Sequence, residues 1–251
     1  MKPHHSRYWL TPNHDNEEIF VAEVKEVCKT YHEAPEKAAT NNRRTISIDE
    51  NTGIQALERK NPGKMIEPGK PERIEFEYIR HGTLSLIANF DVVTGEVVSP
   101  GIGETRNEYD FCEHIRNLIS SDPEAQEWVF VTDQLNTHQS ESLVRLVGEL
   151  CGIKDDLGVK GKKGILKSMK SRAEFLRMKE HAIRFVYTPK HCSWLNQVEI
   201  WFSILTKKLI KRGNFTSKED LKRKLLDFIC YFNATMAKPY KWTFNGLPLK
   251  A

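Results

Sequence analysis

The stretch EWVFVTDQLNTHQS, from Glu127 to Ser140, decides how the chain is read. Trp128 to Val131 is a short, unbroken apolar run, the pattern of a strand buried on both faces of a sheet. The run ends on an aspartate, Asp133. In mixed α/β sheets, ligands bind outside the carboxyl ends of the strands. Immediately downstream, THQSESLVRLVGEL spaces Leu143, Val147 and Leu150 at helical intervals. A buried strand followed by an amphipathic helix points to an α/β domain.

Working outward, the same logic recurs. RRTISIDENTG alternates, with Ile46 and Ile48 on one face and Thr45 and Ser47 on the other, so a strand is expected to end at Asp49. DNEEIFVAEVKEVCKTYH, residues 15–32, reads as an amphipathic helix broken by HEAPEKAATNNRR. EFEYIRHGTLSLIANFDVVTGEVVSP reads as two or three antiparallel strands, with Thr94 and Gly95 turning a hairpin and Asp91 serving it. TRNEYDFCEHIRNLISSD is helical, with Tyr109, Cys112, Ile115, Leu118 and Ile119 on its face. IRFVYTP is a further short apolar strand. TPKHCSWLNQVEIWFSIL leads into a helix expected from about Ser193 to Arg212. Thr216 and Glu219 form a T-x-x-E capping box before a last helix that buries Leu221, Leu225, Phe228, Ile229 and Phe232. The order of strands and helices predicts an α/β fold with a mixed sheet.

Composition excludes several classes. No apolar run approaches the roughly 20 residues of a membrane span, and the polar, proline-broken N-terminus is not a secretory signal. A soluble intracellular protein is expected. The five cysteines are scattered and form no C-x-x-C pair, which argues against a disulfide framework or a zinc finger. No G-x-x-x-x-G-K-[ST] phosphate loop is present. The net charge of +4 divides into −10 over residues 1–153 and +14 over 154–251. The basic part suits a polyanionic partner such as nucleic acid; a solvated lysine-rich surface has the same composition.

Glu199 adds a third carboxylate, flanked by Val198 and Ile200, where a charge is costly unless paired. Asp49, Asp133 and Glu199 together have the donor chemistry of a Mg²⁺ or Mn²⁺ site, because hard cations prefer oxygen ligands. Two such ions roughly 4 Å apart activate a water or 3′-hydroxyl and stabilise the leaving oxygen of a phosphodiester. An aspartate after a strand is also a common turn former, so position alone leaves the triad open. Trp194, Leu195, Trp201, Phe202, Leu205 and Leu209 read as core packing for the helix that carries Glu199.

The residues around each carboxylate go further. FVTDQLNTHQS and HCSWLNQVEIWFSIL, following ISIDENTGIQALERK, resemble the DDE-superfamily transposases. More narrowly, they look like the bacterial insertion-sequence family related to Tc/mariner elements, the IS-six-thirty type. That family carries Asp at the end of the first strand, D-x-x-N-x-H after the fourth, and L-N-x-x-E in the third motif. Here these are Asp49; Asp133, Asn136 and His138; and Leu195, Asn196 and Glu199. The resemblance covers about Arg43 to Gly246, including YFNATMAKPYKWTFNG.

It implies a ribonuclease H-like fold, a mixed five-stranded sheet flanked by helices, occupying residues 43–235. Residues 1–42 would be a linker with a helix, and 236–251 a C-terminal tail. It also implies that Asp49, Asp133 and Glu199 bind two Mg²⁺ or Mn²⁺ and catalyse DNA cleavage and strand transfer. Asn136, His138 and Asn196 would support them. Blander roles stay open: Asn136 as a helix cap, His138 as a hydrogen bond to a loop.

Two departures from the family pattern matter. The interval from Asp133 to Glu199, 66 positions, is longer than in familiar members, and a Lys-rich insertion at about 154–180 accounts for the excess. Its Lys160, Lys162, Lys163, Lys167, Lys170 and Arg172 are candidates to lie along double-stranded DNA. The family also carries an N-terminal helix-turn-helix region for which this sequence leaves no room. Recognition of element ends is therefore expected in a separate or frameshift-fused part. The expected assembly is a homodimer or larger synaptic complex in the bacterial cytoplasm, at the nucleoid. A nuclease or resolvase that cuts without joining, and a truncated DNA-binding regulator, are the competing readings.

Overall fold

The computed structural model of the chain describes residues 17–73 and 75–246. Helix α1 spans Glu17–Asn41 and buries Val24, Val27, Cys28, Tyr31 and Ala34 along one stripe. It continues through Pro35, past the expected break near residue 32. Proline removes one backbone hydrogen bond. The buried Tyr31 and Ala34 before it, and the helix-favouring EKAA after it, hold the helix together.

Strand β1 runs Arg43–Arg59 and so does not end at Asp49. It pairs antiparallel with β2, Tyr78–Asp91, from Ile46 opposite Asp91 to Arg59 opposite Tyr78. The polar ENTG that reads as a turn is absorbed as an irregularity between Asn51 and Ile54. Gly53 there has a φ of +69°, a conformation glycine adopts without strain. Strand β3, Val97–Gly103, completes the meander and pairs antiparallel with β2. In the turn between β2 and β3, Asp91 Oδ1 accepts the N–H groups of Val93 at 2.8 Å and Thr94 at 3.1 Å. Gly95 closes that turn at φ +77°, and a Cβ there would lie 2.0 Å from the Lys238 backbone.

Helix α2, Glu108–Ser120, is capped by Asn107 and packs on β3. Its buried face is Phe111, His114, Ile115 and Leu118, whereas Tyr109 points to solvent. His114 is hydrogen-bonded to the Asn89 side chain of β2, and burial pushes its imidazole down to about 4 against the opposing charge of Glu50. Strand β4, Glu127–Thr132, runs parallel to β5, Ile183–Tyr187, with Phe130 stacked on Phe185 at 5.0 Å. Helices α3, Glu141–Leu150, and α4, Met169–Leu176, lie between them in sequence and pack on β5, as does α1. Helices α5, Val198–Leu205, and α6, Lys218–Thr235, are the last two α-helices among the described residues. Ser217, not Thr216, caps α6: its Oγ accepts the Asp220 N–H at 3.1 Å.

The strands form one mixed five-stranded sheet in the order β3-β2-β1-β4-β5. Contacts divide the chain into two compact units. One contains residues 17–45, 126–196 and 241–246, and the other 46–125 and 197–240. The second has a continuous apolar core in which Trp201, Phe202 and Leu205 of α5 and Leu225, Ile229 and Phe232 of α6 meet Ile54, Leu86, Ala88 and Phe90 of β1 and β2. Each of the leucine, isoleucine and phenylalanine side chains contributes roughly 1.5–3 kcal/mol on burial. Among the described residues, no helix is long and apolar enough to cross a membrane.

Candidate active site

Asp49 is half-buried in the middle of β1, opposite Ala88 of β2. Side chains alternate along a strand, so Ser47 and Asp49 share a face and Ile46 and Ile48 take the other. Ser47 is fully buried, and its Oγ accepts the N–H of Val198 at 2.9 Å. Val198 is the first residue of α5, and the first amides of a helix have no partner within it. The bond satisfies that amide and ties the start of α5 to the strand that carries Asp49. Glu199 is the next residue.

Glu199 is half-buried rather than enclosed. Its flanks differ: Val198 is 0% exposed and Ile200 42%. The expected apolar support holds for Trp201, Phe202 and Leu205, which are buried, and for Leu209, which packs against the same core. Trp194 departs from it. It is exposed and meets the edge of Phe244, ring centroids 5.4 Å apart. The expected single helix from Ser193 to Arg212 is three pieces: a 3₁₀ turn Ser193–Leu195, α5, and a π turn Thr206–Ile210. Asn196 therefore does not sit one helical turn from Glu199. It is fully buried in extended backbone ahead of the helix, φ −85° and ψ 112°.

An open cavity of about 330 Å³ runs beside Glu199, lined also by Asn51, Ser203, Lys207 and Lys211. The two lysines were not singled out from sequence. Their spacing was the available signal, because Glu199, Ser203, Lys207 and Lys211 recur every fourth residue.

Asp133 belongs to the other unit, directly after β4. Its Oδ1 accepts the Leu135 N–H at 3.0 Å and lies 2.7 Å from Nδ1 of His138. His138 is fully buried, and its Nδ1 also lies 2.9 Å from Thr132 Oγ1. The loop behind it is pinned twice. Tyr187 donates its hydroxyl to the His138 carbonyl at 2.8 Å, and Arg172 Nε donates to the Gln139 carbonyl at 2.7 Å. Burial raises the Asp133 pKa, but the hydrogen bond and charge of His138 and the Leu135 N–H outweigh it, and the net shift is downward. Asn136 is exposed and does not cap α3: that role falls to Ser140, whose Oγ accepts the Leu143 N–H at 3.2 Å.

In the basic segment, Lys160, Lys162, Lys163, Lys167 and Lys170 are exposed. Arg172 is not available to DNA. It is 8% exposed, and its guanidinium is spent on the carbonyls of Gln139 and Leu166.

Asp49 and Glu199 thus share one unit, linked through Ser47, while Asp133 and His138 form a second cluster. Among the described residues, no group of three His, Cys, Asp or Glu stands close enough together to hold a metal ion. In kind, the donors are carboxylate oxygens, which suit a hard divalent cation rather than zinc.

Comparison with known proteins bears on the family and the fold. No curated protein sequence matches the chain. Among solved structures, the Mos1 mariner paired-end complex with Mn is similar at a TM-score of 0.55 and 16% identity, covering 98% of this chain. A pre-cleavage Mos1 transpososome is similar at 0.54 and 16%, covering 96% of this chain and 62% of that one. The catalytic domain of Mos1 mariner transposase is similar at 0.50 and 12%, covering 88% and 85%. The present chain spans 63% of the length of the transposase in the paired-end complex. Identity this low carries the fold, the ribonuclease H-like mixed sheet, and nothing finer. Sequence carries the family: the one described as DDE superfamily endonuclease matches residues 44–222. That span contains Asp49, Asp133 and Glu199 on the elements just described, and the chain belongs to the DDE superfamily endonucleases.

Proposed function

We propose that this chain is the catalytic part of a transposase, which cuts DNA at the ends of a mobile element and joins the freed 3′-hydroxyls to target DNA. The observation that carries the reading is the bond from Val198 N–H to Ser47 Oγ. It gives a rigid reason for Glu199, on a helix, to serve with Asp49, on a strand. The bacterial insertion-sequence branch is the finer reading, supported by D-x-x-N-x-H at Asp133 to His138 and L-N-x-x-E at Leu195 to Glu199.

In this proposal Asp49, Asp133 and Glu199 are the catalytic carboxylates and would hold Mg²⁺ or Mn²⁺. When bound, such ions supply nucleophile activation and stabilisation of the leaving oxygen. The chain's own residues do the rest. His138 orients Asp133 through the 2.7 Å contact and favours its ionised form. Lys207 and Lys211, beside Glu199, offer cationic partners to the phosphates flanking the scissile bond. Double-stranded DNA is the substrate, handled by two or more copies of the chain, with an N-terminal helix-turn-helix part supplying end recognition. A bacterial, nucleoid-associated setting follows from the same branch.

Incubation of the protein with pre-cleaved element-end DNA, a target duplex and Mn²⁺, beside Asp133→Asn, tests this. Joined product from the unmodified protein alone is expected. Nicking without joining indicates an endonuclease or resolvase instead. Equal behaviour of the two proteins on every DNA removes the carboxylate assignment.

A further inference from the structure

A second polar cavity lies in the unit built from 17–45, 126–196 and 241–246, at the opposite end of β4 from Asp133. Glu127 begins β4 and Asp133 follows its end, about 20 Å away at roughly 3.3 Å per residue. The cavity is open and holds about 300 Å³. One face of α1 lines it through Glu26, Lys29, Thr30, Glu33 and Lys37, and the strand starts contribute Arg43, Glu127 and Arg184.

Arg43 is the unusual member. It is 5% exposed, yet its Nε and Nη2 have no hydrogen-bond partner among the described residues. A buried guanidinium left unpaired is costly, so its presence calls for an anion. Arg184 is half-buried and adds like charge: desolvation lowers both arginines and Arg184 lowers Arg43 further, against Glu127 and Glu33, which raise both, and Glu26, which raises Arg184. The nearby carboxylates do not close the account. Glu33 pairs with Lys29 at 3.5 Å, and Glu127 accepts from Asn41 Nδ2 at 3.2 Å. Among the described residues, neither Arg43 nor Arg184 has an ion pair within 4.0 Å. With Lys29, Lys37 and Lys179, five cationic side chains face three glutamates around this cavity.

We propose that Arg43 and Arg184 form a phosphate-binding site, the guanidinium fork of Arg43 engaging two oxygens of one phosphate group. Guanidinium matches tetrahedral oxyanions in bidentate geometry better than any other side chain. The phosphate belongs either to a DNA backbone or to a small free phosphate compound, and the chemistry of the site is the same for both. The proposal does not rest on the transposase reading, because binding is measured without cleavage.

The test uses the full chain, Arg184→Gln and Arg43→Gln, at constant ionic strength. Calorimetric titration with inorganic phosphate forms one arm. The other is the anisotropy of a labelled duplex over a series of salt concentrations. Loss of one charge-assisted contact should weaken the productive arm about tenfold or more. A phosphate effect with unchanged duplex binding identifies a free phosphate. A duplex effect, with the salt slope reduced by about one, identifies the DNA backbone. Arg184→Gln is half-buried and guards against misfolding of the Arg43 variant. Phosphate should also raise the melting temperature of the unmodified chain. If the unmodified chain binds neither probe, or both variants match it in both arms, the proposal fails.

Discussion

Asp133 meets two opposing influences: burial, which favours the neutral acid, and the contacts of His138 and Leu135, which favour the carboxylate and prevail. A folded pKa below the unfolded value means that the group's stabilisation is present above the unfolded value. It is lost as pH falls through the folded one. His138→Ala removes a main lowering contact, so the Asp133 carboxyl should titrate higher, and the fall in stability on acidification should become shallower. Carbon-detected NMR titration of the carboxyl, beside denaturation at stepped pH, measures both, and an unmoved Asp133 titration would refute the pairing. The partnership was legible in D-x-x-N-x-H as residues, though not as a bond. Arg172 was misread for a clear reason. Composition shows a cation in a basic run, but its partners are backbone carbonyls of Gln139 and Leu166, which no side-chain pattern displays.

Elements were legible where periodicity and burial coincide. Strand β4, the β2–β3 hairpin and α6 all follow from their apolar spacing. The misjudged boundaries share one feature: a local breaker did not end its element. Pro35 stays inside α1, carried by the helix-favouring EKAA after it, and ENTG stays inside β1 because pairing with β2 resumes at Ile54. At the third motif the reverse happens, and an apparently continuous helix is divided at Asn196, whose backbone is extended. The division frees the Val198 amide for Ser47. Ser47→Ala should leave that amide buried without an acceptor and cost about 1–3 kcal/mol, read from a urea melt. Strand-transfer yield should fall more than the stability loss alone accounts for, since Glu199 loses its anchor. Full yield at the temperature where the variant is folded would separate Ser47 from the site.

Over the whole chain, charge is the property with the widest consequence. The +14 of residues 154–251 includes the exposed Lys160, Lys162, Lys163 and Lys170. Two of them already have acidic neighbours, Lys163 with Asp156 at 3.4 Å and Lys160 with Glu141 at 4.0 Å. Such exposed pairs are weak and exchange readily for phosphate. Neutralising all four to Gln should weaken duplex binding and flatten the plot of log affinity against log salt by about three to four, at roughly 0.9 per phosphate contact. An unchanged slope would remove this segment from the DNA interface.

Residue type and spacing along the chain were enough for the mixed α/β fold and for the endonuclease family. These rest on local periodicity and on short motifs, which a linear sequence carries intact. Three features emerged only with the tertiary structure: the Ser47–Val198 bond, the carbonyl partners of Arg172 and the unpaired Arg43. The partners in the first two are 151 and 33 residues apart for Ser47–Val198 and Arg172–Gln139. Hydrogen bonds and desolvation depend on distance in space, and only folding brings such groups together or strips them of water.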